Sequence, residues 1–269
     1  MRYKPLGDTG VQIPEVGFGT WLYKGDQAVI RRTLELDGPF IDTAESYRTE
    51  NYVGQAISGQ REAYFIATKV SPENHRAADL VRSCDRSLAR LGIDVIDLYQ
   101  LHAPSPSIPI EETMEGMARV IKEGKVRFAG VSNFSVEQMQ AADAALRDLS
   151  GGHRVAANQV LYSVFARGIE ADLLPYCEEH RVTIIGYSPL AQGRLDGELK
   201  RRPQLAAALE RAAAEAGKTV AQALISWAVR SPWAVTIPAT NRVERVDENY
   251  AASDWRLTDE QYAAISAAA

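Results

Sequence analysis

Eight short apolar runs, each followed by an amphipathic helical pattern, predict an α/β protein built as a (β/α)8 TIM barrel. Three of these runs end in residues suited to catalysis, and catalytic groups collect at the carboxyl ends of the strands in such barrels. A barrel of this kind takes about 250 residues, and the chain has 269. We therefore expect one domain over residues 1–269, with an open doubly wound sheet as the alternative.

The predicted elements begin with a β-hairpin lid over residues 3–14, which turns at Gly7-Asp8-Thr9-Gly10. Strands and helices alternate after it. The predicted strands are residues 16–19, 40–42, 64–68, 96–101, 127–131, 157–160, 183–187 and 234–237. The predicted helices are residues 27–36, 50–57, 77–91, 110–123, 136–146, 171–180, 219–230 and 243–251. Two extra helices are predicted over the Ala-rich residues 202–216 and over residues 258–268, where Thr258 is a suitable N-cap.

Composition and charge exclude several classes of partner. A formal net charge of −5 argues against a nucleic acid or a membrane held by bulk charge. No run of about 18 apolar residues could span a bilayer. Cys84 and Cys177 both fall in predicted helices, which favours a reduced, cytoplasmic protein over a disulfide-built secreted one. The opening residues 1–5 lack the apolar core of a signal peptide. We expect a cytoplasmic monomer.

Four polar residues that end three successive predicted strands form the candidate catalytic group: Asp42, Tyr47, Lys69 and His102. Tyr47 is the candidate proton donor, although a free phenol, with a pKa of about 10, donates poorly at neutral pH. An ammonium about 4 Å away would favour the phenolate by roughly 4 kcal/mol before burial opposes it. Asp42 would pair with Lys69, and His102 would orient a substrate oxygen. Each residue alone has a structural explanation, so their joint placement carries the prediction.

Other chemistries lack the residues that they need. The histidines have no metal-ligand spacing and the two cysteines lie far apart, so we expect no metal site. Ser188 lacks the second glycine of a serine-hydrolase turn. Gly17-Phe18-Gly19 lacks the third glycine of a Rossmann phosphate turn, so any nicotinamide cofactor would bind in another way. We expect three histidines to be solvated: His75, His153 and His180.

The ordered motifs of the chain resemble those of the aldo-keto reductases nearly from end to end. The segment 42–54, with Asp42-Thr43-Ala44 and Glu50, is similar to the family's first signature, and Lys69 and His102 fill its remaining catalytic positions. The resemblance implies that residues 130–134 and Gln159 hold the nicotinamide carboxamide, and that Tyr187 stacks on the ring. It also implies that residues 188–195 cover the pyrophosphate and residues 237–249 bind the adenosine phosphate.

The resemblance therefore implies two sets of binding residues. The cofactor-binding set is Thr20, Trp21, Asp42, Ser132, Asn133, Gln159, Tyr187, Ser188, Pro189, Leu190, Gln192, Gly193, Arg194, Ile237, Ala239, Thr240, Arg245, Glu248 and Asn249. The substrate set is Trp21, Tyr23, Tyr47 and His102. Trp21 would form one wall of the substrate pocket, and core packing is its alternative. Apart from the resemblance, the polar residues at the strand ends, Ser132, Asn133 and Gln159, could each form hydrogen bonds with an amide or cap a loop. Arg245 and Glu248 could bind a phosphate at a helix start or form a solvated face.

Two departures from the family pattern bear on specificity. Many members carry Lys where this chain has Ala239, so Arg245 becomes the main candidate for the adenosine 2′-phosphate, with Arg242 as a helper. NADPH is favoured and NADH remains possible. A short approach to Asp42 and a short C-terminal tail suggest an open pocket with relaxed specificity. We predict an NADPH-preferring enzyme that reduces aldehydes and ketones. The alternative is a non-catalytic, nicotinamide-binding subunit that regulates a channel.

Overall fold

The computed structural model describes residues 1–269, and its parallel sheet closes into a barrel. Its strands are β3 (Phe18–Gly19), β4 (Phe40–Asp42), β5 (Phe65–Val70), β6 (Ile96–Leu101), β7 (Val126–Ser132), β8 (Val155–Leu161), β9 (Thr183–Tyr187) and β10 (Ala234–Thr236), paired in chain order. Val16 pairs with Thr236, and Gly19 with Ala239, across the seam between first and last strands. The predicted TIM barrel is confirmed, and the open-sheet alternative is wrong.

Helices cover the outside of the barrel. They are α1 (Gln27–Glu35), α2 (Glu50–Ile57), α3 (Ala77–Leu91), α4 (Ile110–Lys122), α5 (Val136–Ser150), α6 (Leu173–His180), α7 (Leu195–Arg201), α8 (Pro203–Glu215), α9 (Val220–Ala228), α10 (Val243–Tyr250) and α11 (Asp259–Ala268). Ser135, Thr219 and Thr258 begin α5, α9 and α11 with reciprocal capping boxes, which satisfy amide groups at each helix start. The N-cap role predicted for Thr258 is therefore confirmed.

The N-terminal hairpin, β1 (Tyr3–Pro5) and β2 (Gln12–Pro14), closes the amino-terminal end of the barrel. Leu6 and Ile13 are fully buried in one cluster with Phe40 and other residues of the barrel interior. Gly7 adopts a φ of 52°, and a Cβ there would lie 2.7 Å from the carbonyl oxygen of Ala156. Only glycine fits this close approach. The predicted hairpin is present, and it closes the end of the barrel at the amino termini of the strands.

Lys4 ties the hairpin to the rest of the chain. Its ammonium donates to the carbonyl oxygens of Val229, of Ser231 at 2.7 Å and of Ala234 at 2.8 Å. The carboxylate of Glu15 lies 3.7 Å away. These carbonyls follow α9 and begin β10, so one buried charge satisfies backbone groups that the helix end leaves unpaired.

Two extra helices were predicted, and α8 and α11 fill those places. They pack with α9 in a second apolar cluster that holds Leu205, Trp227 and Ile265, and the Trp227 indole donates to Ser266 Oγ at 2.9 Å. The sequence did not predict α7, which lies between the predicted pyrophosphate segment 188–195 and the predicted helix 202–216. Its only apolar residues, Leu195 and Leu199, are partly buried against the same cluster, and one such pair is too short a stripe to indicate a helix.

Cys84 and Cys177 lie in α3 and α6, as predicted, and both are buried free thiols. No helix combines the length and the apolar character needed to cross a bilayer.

Candidate active site

A cleft with a volume of about 470 Å³ opens at the carboxyl ends of the barrel strands. Most of the residues that line it were predicted as site residues: Trp21, Asp42, Tyr47, His102, Ser132, Asn133, Gln159, Tyr187, Ser188, Pro189, Leu190, Gln192, Gly193, Ile237, Ala239 and Thr240. Four were not singled out as site residues, although the last two lie within the predicted adenosine-phosphate segment 237–249: Gly19, Leu22, Pro238 and Asn241. All four are sequence neighbours of predicted residues, and this adjacency was the available signal.

Among these four residues, Asn241 links two loops of the cleft mouth by hydrogen bonds. Its Oδ1 accepts from the backbone amide of Lys24 at 2.7 Å, and its Nδ2 donates to the carbonyl of Leu22 at 3.1 Å. The amide therefore joins the loop after β3 to the loop after β10, on either side of the cleft mouth.

The floor of the cleft holds the four predicted catalytic residues. Asp42 ends β4, Lys69 lies in β5, and His102 follows β6. Tyr47 ends a single 3₁₀ turn, Glu45–Tyr47, directly after β4. The ammonium of Lys69 donates to Asp42 Oδ1 at 2.6 Å and to the carbonyl of Thr43 at 2.9 Å. The barrel thus brings the four together, with Lys69 fully buried below the other three.

The phenol of Tyr47 lies between a cation and an imidazole. Its hydroxyl is 3.4 Å from His102 Nε2, and the two rings meet edge to face with centroids 5.4 Å apart. The ammonium of Lys69 is 4.8 Å from the centre of the Tyr47 ring. The other ring nitrogen of His102, Nδ1, is 3.4 Å from the hydroxyl of Ser46. Tyr47 therefore has both the charge and the imidazole partner that a proton donor needs in this position.

Burial sets the protonation states of this group. Burial raises the pKa of Tyr47 by more than the ammonium of Lys69 lowers it, so the side chain is a neutral phenol at neutral pH. The ammonium acts in the predicted direction, but burial is the larger effect. Burial lowers the pKa of Lys69, yet Asp42 and Tyr47 together raise it above its usual value. Burial, reinforced by the charge of Lys69, lowers the pKa of His102 to about 4, so its imidazole is neutral.

Polar side chains from β7, β8 and β9 form one wall of the cleft. Ser132 Oγ donates to the carbonyl of Gln159 at 2.8 Å, and Gln159 Nε2 donates to Asp42 Oδ2 at 2.8 Å. Asn133 Nδ2 donates to the carbonyl of His102 at 3.2 Å, while its Oδ1 accepts from the Tyr187 hydroxyl at 3.0 Å. These residues are linked to the catalytic floor by hydrogen bonds and are held in fixed orientations.

The rim of the cleft departs from ordinary backbone geometry. Leu22, Asn133, Ser188 and Gln192 all line the cleft and all have φ between 55° and 61°. The left-handed region is unfavourable for residues with a Cβ, and such residues cluster at functional sites. The loop after β9 is held in this shape by a hydrogen bond of 2.9 Å from Gln192 Nε2 to Ser188 Oγ.

Two of the predicted contact residues, Thr20 and Tyr23, do not line the cleft. The Tyr23 side chain is buried edge-on against Phe18, and its hydroxyl donates to the carbonyl of Asp26. Thr20 is fully buried, with its hydroxyl 2.9 Å from that of Thr49. Thr20 directly precedes Trp21 and Tyr23 lies two residues after it, but the left-handed turn at Leu22 separates Tyr23 from the residues that line the cleft.

Four further predicted residues lie beyond the cleft lining: Arg194, Arg245, Glu248 and Asn249. Arg245 is exposed near the start of α10 and forms an ion pair with Glu248 one turn later. Asn249 is buried in the same helix. Arg194 is exposed and contacts the carbonyl of Ala191 at 3.4 Å. Because Arg242, the N-cap of α10, directly follows the lining residue Asn241, the first turn of α10 lies next to that end of the cleft.

The three other histidines differ from one another. His153 is exposed, as predicted. His75 is buried with no partner for Nε2, and His180 stacks on Tyr176 with ring centroids 4.0 Å apart. The prediction that His75 is solvated is wrong, because its side chain is buried in the short turn between β5 and α3. No three His, Cys, Asp or Glu side chains lie together as metal ligands would.

Comparisons with known proteins agree with this geometry. Residues 15–269 match the model of the aldo/keto reductase family. The chain is 38% identical to the methylglyoxal reductase YeaE of Escherichia coli, over 100% of this chain and 95% of that protein. An aldo/keto reductase of Klebsiella pneumoniae, solved in complex with NADP and acetate, has a TM-score of 0.88 and 38% identity, and covers 99% of this chain and 95% of its own.

A third relative extends the likeness over both complete chains. The thermostable aldo-keto reductase Tm1743, solved in complex with the inhibitor epalrestat, has a TM-score of 0.89 and 36% identity, with 100% of each chain covered. Sequence and fold therefore agree. The chain belongs to the aldo/keto reductase family.

Proposed function

We propose that this chain is an NADPH-preferring oxidoreductase that reduces aldehydes and ketones to alcohols, with Tyr47 as the proton donor. The observation that carries the proposal is the neutral phenol of Tyr47, set between His102 and the buried Lys69–Asp42 ion pair on the cleft floor. The names of the relatives support the same reaction class, since one is a methylglyoxal reductase and another was solved with NADP.

The residues of the cleft fit a nicotinamide cofactor. The hydroxyl of Ser132 and the side-chain amides of Asn133 and Gln159 line the cleft next to Tyr187, and they would pair a carboxamide while the phenol ring covers one face of the nicotinamide. The loop from Ser188 to Gly193 would cover the diphosphate. Arg245, near the start of α10, would meet a 2′-phosphate, which both its charge and the helix start favour. We propose these residues as the cofactor site.

The chemistry of the cofactor, when bound, is transfer of a hydride to the carbonyl carbon. The protein then has to supply one proton to the carbonyl oxygen. Tyr47 holds that proton, because burial keeps its phenol neutral. His102 is neutral as well and directs a ring nitrogen towards the same place, where it orients the oxygen. Lys69 stabilises the phenolate that forms, and Asp42 keeps Lys69 in position.

The substrate would enter past an apolar rim. Trp21 and Leu22 line the cleft and remain 45% and 66% exposed. The cleft is open to solvent beside this rim, and one relative is a methylglyoxal reductase, so we propose small, reactive aldehydes and dicarbonyls of the methylglyoxal class as substrates. We infer relaxed specificity from the same openness.

The test is turnover of methylglyoxal by the purified protein with NADPH, followed by cofactor absorbance. Tyr47→Phe should lower turnover by roughly 10²–10⁴-fold, the usual contribution of a general acid, and leave NADPH affinity in a fluorescence titration nearly unchanged. Tyr52→Phe is the matched control, since it removes a phenol hydroxyl from the exposed surface of α2. Binding of NADPH without turnover in the wild type would instead favour the non-catalytic, nicotinamide-binding subunit.

A further inference from the structure

Gln100 carries a fully buried amide in β6, directly beneath the cleft and without lining it. Its Nε2 lies 3.3 Å from Asp42 Oδ2. Its Oε1 accepts from Gln159 Nε2, also at 3.3 Å. Gln159 Nε2 in turn donates to Asp42 Oδ2 at 2.8 Å. The three side chains form a closed ring of hydrogen bonds that joins the catalytic carboxylate to a residue of the cleft wall.

The chemistry of the ring fixes the direction of both amides. An ionised carboxylate accepts hydrogen bonds and cannot donate them, so each amide must turn its NH₂ group towards Asp42. The two hydrogens of Gln159 Nε2 are then both engaged, one by Asp42 and one by Gln100 Oε1. Gln159 Oε1 receives no hydrogen bond from the protein, so this acceptor remains for a ligand in the cleft. Without Gln100, the second hydrogen would lose its partner.

The neighbouring strand leaves room for this arrangement. Gln100 pairs in register with Lys69 of β5 on one side and with Gly130 of β7 on the other. A Cβ at Gly130 would lie 2.9 Å from Gln100 Cγ. That distance is shorter than a normal carbon–carbon contact, so a larger residue at position 130 would displace the Gln100 side chain. Gly130 therefore makes the space through which Gln100 crosses the barrel interior.

We propose that Gln100 is a positioning residue, which presents the Gln159 carbonyl oxygen to the carboxamide end of the nicotinamide cofactor and steadies Asp42 beneath it. The inference rests on the cofactor site proposed above. It predicts an effect confined to the nicotinamide half of the cofactor, because the ring of hydrogen bonds reaches only that part of the cleft. A group that merely filled the barrel interior would have no such preference.

The test uses Gln100→Leu, which keeps the bulk of the side chain and removes both polar atoms. Its affinity is measured by titration with NADPH and with 2′,5′-ADP, a fragment that has no nicotinamide. NADPH should bind roughly two- to tenfold more weakly, the change expected from a lost hydrogen bond, and 2′,5′-ADP should bind as it does to the wild type. In the Gln159→Leu background, Gln100→Leu should cause little further loss.

Three outcomes would overturn the proposal: equal weakening of both ligands, unchanged binding of both, or full additivity with Gln159→Leu. If Gln100→Leu does not fold, Gly130→Ala replaces it, since the added methyl displaces Gln100 without removing a polar atom, and the same selective loss is expected. If the wild type binds NADPH no more tightly than 2′,5′-ADP, the proposed cofactor site itself is refuted. If the wild type binds NADPH more tightly than 2′,5′-ADP and the variants keep the same ratio of affinities, only the role assigned to Gln100 is refuted.

Discussion

We propose that Lys69 sets the pH dependence of proton transfer by Tyr47. Its ammonium lowers the pKa of Tyr47 against the effect of burial. Lys69→Met removes that charge, so the pKa of Tyr47 rises further. Alcohol oxidation, the reverse reaction, needs the phenolate. The pH profile of its residual rate should therefore shift to higher pH. The measurement is the pH profile of oxidation with NADP⁺ in wild type and variant.

Lys69→Met also lowers the stability of the fold, so its effect on the pH profile needs a control. Removing one partner of a buried ion pair costs about 3–5 kcal/mol, because the other charge is left unpaired. The double variant Asp42→Asn/Lys69→Met removes both charges and should recover part of this loss. A profile that stays at the wild-type pH in a folded variant would leave Lys69 with a structural role alone.

Arg245 should decide between the two nicotinamide cofactors. A charge-assisted contact to a phosphate contributes about 1.5–3 kcal/mol, or roughly ten- to a hundredfold in affinity. Arg245→Ala should weaken NADPH by about this factor and NADH much less, and Ala239→Lys should increase the preference for NADPH. Fluorescence titrations with both cofactors measure this, with Arg211→Ala on the exposed side of α8 as the control.

The ion pair of Arg245 with Glu248 sharpens this prediction. The phosphate has to compete with the carboxylate for the guanidinium, so Glu248→Gln should tighten NADPH binding more than NADH binding. Equal losses of both cofactors in Arg245→Ala would assign the residue to α10 in general and not to the phosphate.

For single residues, the sequence predicted which polar side chains lie at the strand ends better than it predicted which way each side chain points. Tyr47, Lys69 and His102 follow apolar runs, and strands of a barrel bring their carboxyl ends together. Tyr23 was misplaced because one left-handed residue, Leu22, reverses the side on which the next side chain lies. Gln100 was missed, since strand alternation shows that a residue faces the interior but cannot show which partners meet there.

Among the elements, the hairpin depends on Lys4. Lys4→Met leaves three backbone carbonyls without their charged donor, and we expect a loss of about 1.5–3 kcal/mol in the free energy of unfolding. Activity should persist, because the hairpin lies at the end of the barrel opposite the cleft. Denaturant unfolding and turnover are measured together, with the exposed Lys200→Met as the control.

The pH dependence of stability gives the Lys4 variant a second signature. Burial lowers the pKa of Lys4 from 10.5 to about 8. Between these values the unfolded chain binds the proton more tightly than the folded one, so Lys4 makes stability rise with pH over that interval. The rise should be absent from Lys4→Met. A difference between wild type and variant that does not change from pH 8 to 10.5 would contradict this account.

Element boundaries were predictable where an apolar pattern ends abruptly in polar residues or glycine, whether or not a side chain caps the helix. The bounds of α2, α3, β4, β6 and β9 agree with the prediction residue for residue. The short helix α7 gives only a weak signal: it contains Gly197, its apolar side is the single pair Leu195 and Leu199, and Glu198 forms local ion pairs with Arg201 and Arg202. Such contacts stabilise a helix but leave no periodic pattern to detect.

For the whole molecule, we propose that residues 1–269 unfold as one unit. The segment at the first strand exchanges backbone hydrogen bonds with the last strand, including one that Gly17 N donates to Thr236 O at 2.8 Å, so opening one unit of the barrel exposes its neighbours on both sides. Far- and near-ultraviolet circular dichroism should then report the same denaturation midpoint. Separated midpoints would show that the second cluster, around α8 and α11, unfolds independently.

The barrel itself could be predicted by counting, since eight strand–helix units complete one turn. Its seam could not, because β3 is only two residues long, and the pairing there relies on bridges outside regular strands. The position of the cleft followed from the fold, whereas its openness depends on loop conformations that local sequence does not determine.

The left-handed residues around the cleft have a consequence for evolution and engineering. A non-glycine residue in this conformation costs of order 1–3 kcal/mol, so the rim formed by Leu22, Ser188 and Gln192 lowers the heat resistance of the free protein. Selection for thermostability alone would therefore relax these positions early, through glycine or asparagine. Because the same backbone shapes the cleft, the gain in stability would be accompanied by a loss of turnover. Thermostabilising substitutions that keep the activity should be sought on the opposite, hairpin end of the barrel.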